Sequence, residues 1–287
     1  MPPSQGQGWA MSESPGSTAD IITSANDPRN GPSDVGPGRE LVGMDIFPKY
    51  DKLKRIDGGG TVETFQMPPW TDCCQYYLKT IGRPLKAKVE MWVGPIRTTH
   101  TLKIDMDDGS ETPYEGTLRF RKGVAPVIKI STIDANIPIW AGVCVPSVDR
   151  ANELRANTEK IWETSGPDIK QKVQGANTDG TCGTNRYWSV PGNVESVELV
   201  AWSRDSGKKS FKVDIEVLQG PNSVRQGYYL QCGGGSQPYH AVLQTPGDGC
   251  AVRVRNKKFL EDGLVEFCVL PYEIAKENKD ETTGFFL

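Results

Sequence analysis

From Leu41 onward apolar and polar side chains alternate in short runs. Residues 62–67, KAKVEMWV at 86–93 and TLKIDM at 101–106 place apolar groups at every second position, the period of a strand with one buried face. Leu102, Ile104 and Met106 share a face, and Asp107-Asp108-Gly109 supplies a hairpin turn. Runs at 116–120, 126–130 and 137–145 follow. Strands spaced roughly every 8–12 residues without intervening helices predict an antiparallel sandwich or barrel. The pattern then changes once. In SVDRANELRANTEKIW, residues 147–162, Val148, Ala151, Leu154 and Ile161 fall near one helical face, with Ser147 as N-cap. Residues 163–185 are rich in Gly, Asp and Thr and read as a linker. Alternation resumes at 195–202, 210–218, 227–232, 239–244, 250–254 and 264–270.

The two sets of strands are copies. LKAKVEMWVGP, starting at Leu85, matches FKVDIEVLQGP, starting at Phe211, an offset of 126. At that offset Leu102 and Ile104 meet Tyr228 and Leu230, and DDGS (107–110) meets GGGS (233–236). With one residue lost at each of two turns, Pro113-Tyr114 meets Pro238-Tyr239, VIKI (127–130) meets AVRV (251–254), and Val143-Cys144-Val145 meets Phe267-Cys268-Val269. Segments matching in the same order indicate an internal duplication. The expected fold is all-β: two tandem, related antiparallel β-sandwich or jelly-roll-like domains with pseudo-two-fold symmetry, a short connecting helix and extended termini. The boundaries read as an N-terminal arm (1–44), repeat 1 (45–147), helix and linker (148–185), repeat 2 (186–271) and a C-terminal tail (272–287).

Composition narrows the function. The chain has 287 residues and a net charge of −3 from 33 basic and 36 acidic side chains. That balance offers no electrostatic case for nucleic acid or an anionic membrane. No apolar run approaches the roughly 20 residues of a membrane helix. Seven scattered cysteines without a C-x-x-C pair read as free thiols in a reducing compartment. The arm carries no secretory or transit signature, so any targeting peptide is expected to be absent from this chain. Its composition is that of a disordered or extended segment, with Trp9, Ile21 and Ile22 as its only anchors for ordering against a partner. The tail is a polar stretch ending in Phe285-Phe286-Leu287, a tip suited to docking in a neighbour's groove.

Candidate chemistry is sparse. Asp105, Asp107, Asp108 and Glu111 lack EF-hand spacing and read as an acidic hairpin turn. His100 and His240 do not coincide in the repeat and read as ordinary surface histidines. Cys73-Cys74 reads as one buried and one half-exposed thiol, and Cys144 and Cys268 as small core residues. Gly233, Gly234 and Gly235 sit in a hairpin, with no following helix to cradle a phosphate. No acid, base or ligand set is found in both copies, so no enzyme, metal or cofactor is expected. Trp70, Trp92, Trp140, Trp188 and Trp202 read as fillers of the sandwich cores. As an exposed platform they would instead make a carbohydrate-binding, lectin-like module, which is the alternative reading.

The stretch GRPLKAKVEMWVGP (82–95), its continuation through VAPVIKI and its echo FKVDIEVLQGP resemble the diatom pyrenoid shell proteins (PyShell), whose strand motif is GRPL-x-A-x-VELW-x-GP. The likeness is strong over 60–145 and looser over 186–271. In the echo Leu218 replaces Trp92, and Ser210 replaces Pro84. The resemblance implies a structural protein that assembles with identical subunits into a sheet or tube around the pyrenoid, the Rubisco condensate of the chloroplast stroma. Its partners would be copies of itself and the Rubisco matrix or other pyrenoid proteins, and its role the support of carbon dioxide fixation. It carries over no catalytic residue. The residues singled out for assembly are Trp9, Ile21, Ile22, Trp92, Phe285, Phe286 and Leu287.

Overall fold

The computed structural model describes residues 48, 52–95, 97–167, 169–175, 185–203, 210–220, 223–233, 238–257 and 264–275, together with a backbone strand at 21–23. That strand is β1 (Ile21–Thr23). The first half continues with β2 (Lys54–Ile56), β3 (Val62–Gln66), β4 (Cys73–Lys79), β5 (Leu85–Val93), β6 (Arg97–Met106), β7 (Tyr114–Arg119), β8 (Val127–Thr132) and β9 (Ile139–Val145). Helix α1 (Val148–Thr164) follows. The second half has β10 (Lys170–Val173), β11 (Asn185–Val190), β12 (Val194–Trp202), β13 (Ser210–Gln219), β14 (Ser223–Gly233), β15 (Tyr239–Gln244), β16 (Cys250–Asn256) and β17 (Val265–Ile274). Two segments extend past the expected boundaries. Strand β10 lies inside the stretch read as linker, and β17 runs on to Ile274.

One sheet has the order β2-β9-β4-β7-β15-β12-β17-β10, with β1 sharing the outer edge of β9; the other has the order β11-β16-β13-β14-β6-β5-β8-β3. Each half repeats the same two four-strand paths, and all these pairings are antiparallel except β1 on β9. The sheets face each other across one continuous core that draws on both halves, from Phe65, Leu85 and Val89 to Phe211, Val254 and Phe267. The two sandwiches are therefore fused side by side.

Register locates the internal axis. Strand β6 pairs with β14 so that Lys103 lies opposite Tyr229, its own counterpart at offset 126. Strand β7 pairs with β15 so that Gly116 lies opposite Ala241, its counterpart after the first lost residue. A pseudo-two-fold axis passes through both pairs, so the halves meet as an isologous dimer does, within one chain. Around it Leu102, Ile104, Tyr228 and Leu230 are buried. Each full burial of this kind contributes about 1.5–3 kcal/mol, so the junction is part of the core.

The Gly-Pro echo has a backbone cause. Both copies carry a register shift at the same place, between Met91 and Trp92 in β5 and between Val217 and Leu218 in β13. Two residues later the chain turns through a left-handed glycine, Gly94 at φ 66° and Gly220 at φ 74°. The extra residue of each shift is on the returning strand, Thr99 in β6 and Arg225 in β14, and the positive φ of the turn between the two strands favours glycine, which is what the motif preserves.

Helix α1 has no second copy among the described residues. The Ser147 hydroxyl caps it by accepting from Arg150 N at 3.3 Å. Leu154, Ile161 and Trp162 pack with Val200, Val242, Cys268, Leu270 and Tyr272 on the outer face of the first sheet. Val148, placed by periodicity on the buried face, is exposed. The helix also reaches the first half, where Arg155 pairs with Asp72 and Arg119 donates to Thr158 at 3.1 Å. No helix among the described residues is long and apolar enough to cross a membrane.

Candidate functional site

A strand with one face in the core presents its alternate side chains outward, and the outer face of the second sheet is built this way. Leu85, Ala87, Val89 and Met91 of β5 point inward, leaving Lys86, Lys88, Glu90 and Trp92 outside. Glu90 is nearly buried there, with Lys88 Nζ at 2.7 Å and Lys129 Nζ at 3.6 Å. In the second half Glu216 occupies the same position, with Arg253 Nε at 2.5 Å and Arg255 Nη2 at 3.3 Å. The hydrogen bond that Arg253 donates to Glu216 raises the pKa of its guanidinium above the ordinary value. A carboxylate facing a base from the next strand is thus shared by both halves, which corrects the expectation that no charged set recurs. The halves differ beside it. Lys88 is replaced by Asp214, which pairs with Arg255 and Lys257. Trp92, under Lys129 Nζ at 5.3 Å from the ring centroid, is replaced by Leu218.

Of the other residues expected to serve assembly, Ile21 and Ile22 lie in β1, pairing in parallel with Val143 and Cys144. Trp9, Phe285, Phe286 and Leu287 lie outside the described residues, as do Gly234 and Gly235. The tryptophans are not mainly core fillers. Trp188 is in the core, Trp202 packs edge-on against Trp162 of α1 with centroids 5.6 Å apart, and Trp92 and Trp140 are half-buried. Trp70 is exposed.

The other polar candidates resolve as structure. Asp108 Oδ1 accepts from the Ser110 amide and hydroxyl, each at 2.7 Å, and from Glu111 N, which lowers its pKa. Asp107 faces Arg225 at 3.5 Å. No three His, Cys, Asp or Glu side chains among the described residues come together as a metal site would require. Cys73 and Cys74 are both fully buried, against the expectation of one half-exposed thiol. Burial pushes the Cys73 thiol up to about 12 and that of Cys74 well above its usual value. Cys144 and Cys268 are buried small residues, Cys268 beneath α1.

Neither histidine is on the surface. His240 is buried on the outer face of the first sheet, its Nε2 2.6 Å from Glu198 Oε1. His100 is buried in the core, its ring stacked 6.5 Å from Tyr239. It continues the inward face of Leu102 and Ile104, a signal the period-2 pattern already contained. Burial lowers its pKa to about 3, and its Nε2 has no hydrogen-bond partner among the described residues. The unfolded chain binds a proton there below about pH 6.5, while the folded chain resists. Stability therefore falls as pH drops from about 6.5 toward 3. At pH 5 this single group should cost about 2 kcal/mol. Urea midpoints at pH 7.5 and 5.0 should show a smaller acid loss for His100→Leu than for the unsubstituted chain. Equal losses would refute the assignment.

A duplicated two-sheet β-sandwich, distinguished by its faces and edges, is the class of protein these features define. The sequence model of the diatom pyrenoid shell protein family matches residues 48–271, and the chain belongs to that family. It has a structural role in the pyrenoid shell and an association with the pyrenoid of the chloroplast. No curated protein matches it. Among solved structures it is similar to the tandem CBM22-1–CBM22-2 domain of Xyn10C from Paenibacillus barcinonensis (10% identity, 79% of this chain, 88% of that one, TM-score 0.25). A salicylate 1,2-dioxygenase from Pseudaminobacter salicylatoxidans follows at 7% identity, covering 69% of this chain and 71% of that one, with a TM-score of 0.14. At these scores neither likeness bears on function.

Proposed function

We propose that the chain is a self-assembling shell subunit, acting without catalysis or cofactor. Copies tile into a sheet or tube at the periphery of the pyrenoid, in the chloroplast stroma, around the Rubisco matrix and in contact with it or with other pyrenoid proteins. The layer compartmentalises carbon dioxide fixation and belongs to a carbon dioxide-concentrating mechanism. The fused pseudo-symmetric sandwich carries this reading. It presents related but unequal patches on either side of its internal axis, the Lys88/Asp214 and Trp92/Leu218 positions on the outer face of the second sheet among them, and its two ends are formed by different strands, β3 and β2 at one and β11 and β10 at the other. Contacts between unlike ends do not close on themselves and generate open lattices or filaments. The terminal segments are the bridges between tiles.

Purified intact chain should form regular sheets or tubes by negative-stain electron microscopy, and removal of residues 283–287 should reduce them at least tenfold in number. Unchanged assemblies after the deletion would discard the tail-bridging role. A clean 31.5 kDa monomer from the intact chain would overturn the shell reading and favour a binding module.

A further inference from the structure

The pseudo-symmetry leaves one position filled in the first half and open in the second. On β9 the outer edge is shared. Strand β2 pairs with residues 139–141, and β1 pairs in parallel with 143–145. The counterpart edge belongs to β17. Tyr76, opposite Gly116, also opposes Val143, and its counterpart Leu199, opposite Ala241, opposes Val269, so residues 143–145 correspond to 269–271, two residues on from the sequence match, and β10 on 265–268 takes the place of β2. Beyond β10, β17 continues to Ile274 with no further strand on that side among the described residues. An open groove of about 300 Å³ runs along this stretch instead, lined by Ile169, Tyr187, Trp188, Val190, Val269 and Leu270, among others. Tyr187 in its wall is 52% exposed, among the most exposed large apolar side chains described.

We propose that this groove is the docking site for the C-terminal Phe285-Phe286-Leu287 segment of a second copy, added as a short strand beside β17. The proposal rests on the shell reading above and names its contact. Three observations choose the occupant. Each chain has one Ile21–Thr23 segment, already seated on β9, so another apolar segment must fill the second position. The described chain ends at Ala275, and the twelve residues beyond it are polar except for the final three. Nine polar residues span up to about 30 Å, enough to bridge neighbours. Two aromatic rings suit a groove walled by Tyr187 and Trp188.

Direction chooses the source. Strand β1 runs parallel to β9, so the equivalent added strand runs parallel to β17. A chain returning parallel to its own preceding strand needs a crossover of about a dozen residues or more. Only residues 275–284 separate Ile274 from Phe285, too few for that return, whereas a neighbour's tail has no such constraint. Proline limits the ladder in both halves, Pro146 just past the β1 pairing and Pro271 just past Leu270, so a short strand is what each position accepts.

The test has two arms. A benzophenone photo-crosslinker replaces Phe286 in a mixture of ¹⁴N- and ¹⁵N-labelled intact chains, and cross-linked peptides are mapped by mass spectrometry. Mixed-isotope links to residues 169, 187–190 or 269–271 are expected. Same-isotope links alone, or links elsewhere, would overturn the proposal. Separately, a fluorescein-labelled peptide of residues 276–287 is titrated by anisotropy into a chain lacking those residues. Saturable binding is expected, weakened at least tenfold by Ser189→Arg, an exposed position on the groove wall. Equal affinity for the variant, no binding, or stronger binding of a peptide spanning residues 18–26 would overturn it. Assemblies without groove cross-links would sink the docking site and leave the shell reading standing. Peptide docking without assemblies of the intact chain would do the reverse.

Discussion

Replacing His240 by leucine is expected to lower folding stability by about 3–5 kcal/mol, the cost of leaving a buried carboxylate without its partner. Both members of the pair are essentially inaccessible, and their 2.6 Å separation is that of a charge-assisted hydrogen bond. Glu198 Oε2 has no hydrogen-bond partner among the described residues, so removing the imidazole leaves the carboxylate in an apolar layer with Val200 and Val242. Glu198→Leu alone should cost less, about 1–3 kcal/mol, the cost of one buried polar group losing a hydrogen bond. The double replacement should return to within about 1 kcal/mol of the starting stability or exceed it, since apolar residues of similar volume replace a buried pair without desolvating a charge. Denaturant unfolding of the four proteins measures the coupling. A His240→Leu loss below 1 kcal/mol, or strictly additive losses, would show that the pair carries no such energy.

The second large effect is expected at the axis. A Cβ on Gly116 would stand 2.7 Å from Tyr76 Oη, 2.8 Å from Tyr76 Cζ and 2.9 Å from Tyr114 Cε1. These rings cannot retreat easily. Tyr114 Oη bonds Tyr239 Oη at 2.6 Å, and its ring packs 5.5 Å from Tyr228 and 5.7 Å from Tyr76. Gly116→Ala should therefore cost about 1–3 kcal/mol by overpacking, despite the backbone entropy that glycine loses in a strand. Gly116→Val should cost more and loosen the joint between the halves. Tyr76→Phe removes the nearest atom and its weak 3.4 Å bond to Tyr114, and should recover part of the Gly116→Ala loss. The same four-protein unfolding design measures this, and the absence of any recovery would mean the clash lies elsewhere.

Side-chain periodicity revealed which way residues face, and that sufficed for most long strands, the helix and the duplication. Leu102, Ile104 and Met106 are inward, as alternation predicts. What it could not reveal is which strand lies next door. The pairing of β6 with β14 and of β7 with β15 merges two sandwiches into one, and no local pattern encodes a partner more than a hundred residues away. Strands β1 and β10, of three and four residues, are too short to show a period. His240 and Glu198 were hidden for another reason. They lie on a sheet face that alternation marks as outward, and only α1, crossing over it, makes that face interior. Glu90 and Glu216 were visible as a repeated letter, but their shared role needed Lys129 and Arg253 to be recognised as equivalents despite the change of residue. Of the assembly residues, Trp92 was legible as an aromatic that the second copy replaces with Leu218, although its place outside the core was not read from its being a tryptophan, while the partner edge of Ile21 and Ile22 was not legible.

Among the described residues each half contributes four strands to each sheet, so both continuous paths count eight, β1 aside. With antiparallel neighbours throughout, an even count makes the first and last strands of a path run in opposite directions. Strand β3 thus opposes β11 in one sheet, and β2 opposes β10 in the other. A protomer shifted sideways by its own width, without being turned over, therefore brings strands of opposite sense together at both seams at once. An odd count would force parallel seams or alternate flipping of the tiles. In strand direction, the two ends of the duplicated chain therefore match by plain translation, which is what a shell tiled edge to edge would require.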